Sequence, residues 1–169
     1  MSEMQQVVKN GGTDAGPHEG DPEQELRQLL HVLIAARNGD FSPRLPGHWT
    51  GLVGKIADAV NDVVGANQRL AEQLAHVGQV VGKEGKTRQR VRLPAQGGAW
   101  ADMEGSLNTL IDDLLWPTTE VTRALAAVAQ GDLAQNVRLD VDGRPLQGEF
   151  LRSATIVNSM IKQLGLGTK

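Results

Sequence analysis

The sequence predicts an all-α fold built from repeated helical units, and three observations support this prediction. Aromatic residues make up 3% of the chain, whereas sheets usually rely on aromatic and β-branched side chains to fill their packed faces. Apolar residues recur at spacings of three and four over long stretches, as on one face of a helix. A pattern of helix, glycine break, extended connector and helix occurs three times, which indicates a repeat architecture.

The composition excludes several classes of function. The chain of 169 residues has no cysteine, which removes disulfide frameworks, thiol catalysis and thiolate metal sites. Its net charge of −3 gives no field for a large nucleic-acid interface. No apolar run has the length of a spanning helix and the N-terminus shows no signal peptide, so we expect a cytoplasmic protein with no transmembrane segment.

The repeat sets the predicted domain boundaries. The connectors begin at Gly39, Gly85 and Gly131, at intervals of 46 residues, where each glycine would end a helix. Each connector also contains an arginine followed by a leucine, and these matched leucines are Leu45, Leu93 and Leu139. The predicted boundaries are a disordered leader over 1–22, repeats over 23–69, 70–116 and 117–165, and a tail over 166–169.

The apolar spacing predicts the helices in order. The first helix has one stripe, formed by Leu26, Leu29, Leu33 and Ala36, and the next begins with Leu52, Ile56, Ala59 and Val63. Stripes continue across the repeat boundaries, so the second helix of one repeat should run into the first helix of the next, over about 30 residues. Pro117 lies at such a junction, where it would open a new helix or kink a continuous one.

These stripes are too narrow to close a core within one chain. We therefore expect a parallel homodimer in which two chains form a four-helix coiled coil, with knobs-into-holes packing along the stripes. Apolar connector residues such as Phe41 would seal the groove between the two helices of a chain.

Three asparagines, Asn61, Asn108 and Asn158, recur at equivalent places in the second helix of each repeat. A polar residue beside a coiled-coil seam can fix register and oligomeric state. The alternative is that the asparagines flank the stripe and remain solvated. The sequence leaves both interpretations open.

Several strings resemble the tandem HAMP arrays of soluble hybrid sensor histidine kinases. They are Val81-Gly82-Lys83-Glu84-Gly85-Lys86, Gly98-Ala99-Trp100-Ala101, Ser106-Leu107-Asn108-Thr109-Leu110-Ile111, Pro117-Thr118-Thr119-Glu120-Val121 and Pro145-Leu146-Gln147-Gly148-Glu149-Phe150-Leu151. The resemblance implies three concatenated HAMP-like units that relay conformational signals in a two-component system, between input and output domains in cis or in trans. It also matches Glu149 to the acidic residue that opens the second HAMP helix, and Pro117 to the proline near the start of the first. Neither of the first two repeats has a glutamate at the position of Glu149.

The chain does not contain the parts that a kinase needs. An ATP-binding domain is not among these 169 residues, and we expect a non-catalytic relay that is a fragment of, or accessory to, a sensor histidine kinase. The competing hypothesis is a static dimerising scaffold or adaptor, for which regular, uninterrupted heptads would be the signature.

Other candidate sites are weak, and we predict no catalytic, cofactor-binding or metal site. Gly85-Lys86-Thr87 resembles the end of a phosphate-binding loop, but Val80 stands where that motif needs a glycine. The histidines have no partner at helical spacing; they are His18, His31, His48 and His76. The basic connector 83–92 has two interpretations, a contact for an acidic partner or a solvated face, and the second is favoured in an acidic protein.

Overall fold

The computed structural model of the protein describes residues 20–94 and 97–167. These residues are mostly helical, which confirms the predicted all-α class. The helices are α1 (Pro22–Arg37), α2 (Gly51–Val77), α3 (Ala99–Ala129) and α4 (Gly148–Gly167). A π-helical segment, Gly78–Lys83, follows α2, and an antiparallel hairpin pairs β1 (Asp140–Val141) with β2 (Arg144–Pro145). Contacts divide the chain into two compact units, one ending at Glu72 and one beginning at Gln73.

Helix α1 and its cap begin within the last two residues of the predicted leader, which was placed over 1–22. Asp21 caps α1, because its Oδ1 accepts a hydrogen bond from the N–H of Glu23 at 3.0 Å, and Pro22 occupies the first helical turn, where a missing N–H costs nothing. Residues 1–19 of the leader lie outside the described residues. The predicted tail also begins too early, because α4 continues through Gly167. Residues 168–169 lie outside the described residues.

Two helices have the predicted length and continuity. α3 contains 31 residues, and α2 contains 27 before the π-helical segment extends it by 6. Pro117 is buried inside α3, so it does not open a new helix at the repeat boundary. None of the helices in the described parts of the chain combines the length and the apolar character needed to cross a lipid bilayer.

Two of the predicted glycine breaks end their helices in the same way. Gly39 has a φ of +87°, its N–H donates to the carbonyl of Ala36 at 3.0 Å, and the next N–H, of Asp40, donates to Ala35 at 2.8 Å. Gly131 has the same φ, and both of its equivalent hydrogen bonds measure 2.9 Å. This is the Schellman arrangement, in which a residue other than glycine would be strained.

The middle break differs. The N–H of Glu84 donates to Gln79 at 3.0 Å, and the N–H of Lys86 donates to Val80 at 2.8 Å. These bonds span five and six residues because the π-helical segment contains one extra residue in its last turn. Gly85, between the two donors, has a φ of +70° and is the predicted glycine. The apolar spacing did not predict the widened turn.

The first and third repeats have cores of matching construction. Each connector contributes one buried residue six positions after its glycine, Leu45 in the first repeat and Val137 in the third. Each first helix contributes one buried residue seven positions before the glycine, Val32 or Ala124. The second helices contribute two buried residues that lie seven apart, Ala57 and Val64 in α2 and Ala154 and Ile161 in α4.

The predicted stripe on α1 combines two different faces. Leu29 and Ala36 pack against the core with Val32, but Leu26 and Leu33 remain 62% and 46% exposed. Because positions three and four apart lie on adjacent parts of a helix surface, a helix with two neighbouring apolar faces can be misread as having one. The core of the single chain therefore uses the face formed by Leu29, Val32 and Ala36. The apolar spacing did not distinguish this face from the exposed one.

The prediction that Leu45, Leu93 and Leu139 occupy equivalent positions in the three connectors is wrong. The equivalent buried positions are Leu45, Val91 and Val137, which are 4%, 1% and 2% exposed and lie 46 residues apart. Leu93 is half-buried and Leu139 is exposed. The arginine that precedes each matched leucine was the misleading signal, since the register is set by the distance from the glycine.

The third connector contains an insertion that the repeat pattern did not predict. Its hairpin turns at Asp142 and Gly143, which have φ values of +50° and +79°, as expected for the Asp-Gly turn of a tight hairpin. After the hairpin, Leu146 is buried against Val137, and its N–H donates to Leu139 at 2.8 Å. The signal available in the sequence was the Asp-Gly pair.

Candidate functional site

The side chain of Asn61 binds both backbone polar groups of one buried connector residue, Leu45. Its Oδ1 accepts a hydrogen bond from the N–H of Leu45 at 2.8 Å, and its Nδ2 donates to the carbonyl of Leu45 at 2.9 Å. The buried backbone groups of Leu45 are thereby satisfied, as buried polar groups require. We call this pair of hydrogen bonds the connector clamp.

The same clamp occurs in all three repeats. Asn108 accepts from the N–H of Val91 at 2.8 Å and donates to its carbonyl at 3.0 Å. Asn158 accepts from the N–H of Val137 at 2.7 Å and donates to its carbonyl at 3.0 Å. The asparagines therefore bind the connector of their own chain, a role that neither of the sequence interpretations included. Their recurrence in the sequence was the correct signal.

A second set of hydrogen bonds joins the connector to the first helix of a repeat. The N–H of Arg138, one residue after the clamped Val137, donates to Oε1 of Glu120 at 3.0 Å. In the middle repeat the N–H of Arg92 donates to Oε1 of Gln73 at 2.9 Å. The first repeat has Pro46 at this position, which has no N–H to donate. The second and third connectors are thus held from both helices.

Glu120 is a buried carboxylate whose pKa is strongly perturbed. Its side chain is 3% exposed and pairs with Arg123 at 2.7 Å and with Arg138 at 3.4 Å. The hydrogen bond from Arg123 lowers the pKa of Glu120 to about 2, against the opposing effect of burial. The guanidinium of Arg138 also lies 5.7 Å from the ring centre of Trp116, within the range of a cation–π contact. The cluster fastens the third connector to α3.

The predicted switch residues Glu149 and Pro117 line one cleft of about 530 Å³, together with Trp116 and Phe150. Glu149 lies in the first turn of α4, where acidic residues favour the helix dipole. Its side chain is exposed and lies 3.6 Å from Arg152. Glu149 therefore contacts solvent in the single chain, and Pro117 is buried beside it.

The basic connector 83–92 is partly neutralised by the chain itself. Lys86 pairs with Glu84 at 3.0 Å, and Arg90 pairs with Asp112 of α3 at 2.6 Å. Arg90 also donates to the carbonyls of Thr87 and Gln89. These contacts order the connector against its own second helix.

Each helix pair leaves an apolar surface uncovered, which we call the free face. In the first repeat it consists of Leu26, Leu30 and Leu33 of α1 with Leu52, Ile56 and Val63 of α2. A groove of about 260 Å³ lies between these helices, and its lining includes Leu33, Phe41 and Val63. In the third repeat Ile156, Met160 and Leu164 of α4 are exposed in the same way.

In the described parts of the chain, no three side chains of His, Asp or Glu converge as metal ligands. His31, His48 and His76 lie on exposed surface, and His18 lies outside the described residues. Neither a protein-family model nor a solved structure matches this chain.

Proposed function

We propose that the protein is a signal-relay module, a parallel homodimer of three HAMP-like units that passes a change in helix packing from an input domain to an output domain. The observation that carries the proposal is the coexistence of two features on the same helices. One side of each second helix binds its own connector through the clamp, and a neighbouring side presents a free face. If a partner helix packed against the free face moves, such a helix would carry that movement to the connector that it binds.

The occupant that fits the free face is a second copy of the chain. Leu26, Leu30 and Leu33 follow the spacing of four and three that knobs-into-holes packing uses. Monomeric proteins rarely leave such continuous apolar patches in water. A copy related by a twofold axis would present the same stripe, so the apolar surfaces would be complementary without a further partner.

The clamp explains how such a dimer would switch. On α2, Asn61 and Val64 lie on the side that faces the connector, whereas Ile56 and Val63 belong to the free face. Rotation of α2 against a partner helix would therefore move Asn61 relative to Leu45. Because packed interfaces have discrete arrangements, such a rotation would select between two states rather than deform continuously.

The dimer can be tested by cysteine cross-linking, since the native chain contains no cysteine. Val63 is 58% exposed on the free face, so Val63→Cys is expected to form a disulfide-linked dimer under mild oxidation. Asp58 lies about 130° around the helix from the centre of the stripe and is also exposed. The Asp58→Cys variant should cross-link slowly, because distant thiols cannot reach disulfide geometry. Equal rates for the two variants would contradict the parallel dimer.

An experiment that rotates α1 about its own axis distinguishes a relay from a static scaffold. A parallel dimeric coiled coil replaces residues 1–22 in two fusions that differ by one inserted residue, which rotates α1 by about 100°. Spin labels on Gln163→Cys in α4 report the distance between the two chains. A relay is expected to give different distances in the two fusions. A static scaffold predicts the same distance in both, and that result would exclude the relay while leaving the dimer intact.

A further inference from the structure

We infer that the connector of the middle repeat, residues 84–94, is the one that opens most readily, so that the middle repeat is the compliant element of the array. Equivalent positions in the three repeats differ in how firmly they attach their connector. The inference rests on the proposed function only because a relay needs an element that yields.

The middle connector lacks one of its apolar contacts. Two positions after the glycine, the first and third repeats have Phe41 and Leu133, both of which are at least half-buried. The middle repeat has Thr87 at this position, and its side chain is exposed. Burial of a large apolar side chain is a main contribution to the attachment of a surface segment. Thr87 removes that contribution from the middle connector.

The second helix of the middle repeat also lacks an apolar contact. Four residues before the clamp asparagine, the first and third repeats have the buried residues Ala57 and Ala154. The middle repeat has Glu104, whose Oε1 accepts a hydrogen bond from the N–H of Leu93 at 2.7 Å. A polar contact thus replaces an apolar one. Among the described residues, the two buried apolar clusters belong to the first and third repeats.

The helix that enters the middle connector ends differently as well. The first and third connectors begin with Schellman ends at Gly39 and Gly131, whereas the middle one follows the π-helical segment Gly78–Lys83. A π-helical turn is a rare arrangement that carries an extra residue. Return to ordinary α-helical bonding would shift the residues that follow it, including Gly85, by one position. The middle connector therefore has a local alternative that the other two lack.

The middle connector is held mainly by polar contacts, namely the ion pair of Arg90 with Asp112 and hydrogen bonds from its backbone to side chains. Val91 is buried, and around it Asn108, Gln73 and Glu104 bind the backbone of residues 91–93. Water competes directly for such bonds, so each makes only a small net contribution to the attachment of the connector. Apolar packing is not exchanged with water in this way. Opening of the middle connector should therefore cost less than opening of the other two.

Hydrogen exchange of single backbone amides tests the inference in the full chain. The N–H groups of Leu45, Val91 and Val137 are equivalent, because each donates to a clamp asparagine. Exchange followed by NMR is expected to be at least tenfold faster at Val91 than at the other two amides, after correction for intrinsic rates. Exchange at Val91 that is equal to or slower than exchange at Leu45 or at Val137 would overturn the inference, whether or not the array relays a signal.

One variant restores a missing apolar contact. Thr87→Leu copies Leu133 and is expected to slow exchange at Val91, and Gln89→Leu, at an exposed position of the same connector, serves as the control. An unchanged rate at Val91 in Thr87→Leu would also overturn the inference. The wild-type order of exchange decides the question if the variant fails to fold.

Discussion

Replacement of Asn158 by alanine is expected to lower the free energy of unfolding by about 2–4 kcal/mol, because it removes both hydrogen bonds of a clamp at once. The N–H and the carbonyl of Val137 would lose their partners, and Val137 is only 2% exposed. Each buried polar group without a partner costs about 1–3 kcal/mol. Urea unfolding of the purified protein at a fixed concentration measures the loss.

A matched control uses another asparagine of the same repeat. Asn136 is exposed and precedes Val137 in the connector, so Asn136→Ala should change the free energy of unfolding by less than about 0.5 kcal/mol. The variant Asn158→Asp separates the two halves of the clamp. It retains an acceptor for the N–H of Val137 but directs a carboxylate oxygen at its carbonyl, so it should be at least as destabilising as alanine. A loss below about 0.5 kcal/mol for Asn158→Ala would show that the clamp does not hold the connector.

Replacement of Glu120 by glutamine is expected to destabilise the protein at neutral pH and to have little effect at pH 2. The pKa of Glu120 is lowered from 4.5 to about 2, so its carboxylate stabilises the folded state fully above about pH 4.5. That contribution is lost as the pH falls through about 2. Its size should be about 2 kcal/mol, since solvent reaches both arginines and reduces the gain. Thermal unfolding from pH 2 to 7 measures the difference.

Glutamine is the appropriate substitution because the middle repeat already uses it. Gln73 accepts the N–H of Arg92, so Glu120→Gln keeps an acceptor for the N–H of Arg138 and removes only the charge. Glu72, an exposed glutamate of α2, provides the control Glu72→Gln, whose effect should be small at every pH. A difference between wild type and Glu120→Gln that does not depend on pH would mean that charge pairing is not what stabilises the cluster.

The sequence predicted the continuity of the helices because their apolar spacing does not break at the repeat boundaries. It also predicted the glycines that end two of them, since Gly39 and Gly131 require a backbone conformation that other residues disfavour. It did not separate the two faces of α1. Leu26 and Leu29 are both apolar and adjacent on the helix surface, and only the packing of Leu29 against the buried cluster around Val32 distinguishes them.

The role of the clamp could not be derived from helical spacing. Asn61 recurs where a coiled-coil seam would place a polar residue, but its partners lie 16 residues away in the connector. A connector without a regular pattern gives no signal of where its backbone approaches a helix. The π-helical segment was missed for a related reason, since Gly78–Lys83 continues the apolar spacing of α2 and differs only in its backbone hydrogen bonds.

The equal spacing of Leu45, Val91 and Val137 has a consequence for how such a chain could have grown. Duplication of a gene segment encoding 46 residues, with its junction inside a connector, would reproduce the glycine break and the buried residue in their original order. At each new junction, a first helix and a second helix would be joined by a connector that already fits both. An array of this kind can lengthen or shorten by whole repeats without a new kind of contact, and the hairpin at Asp142 and Gly143 shows that one repeat can also carry an insertion of its own.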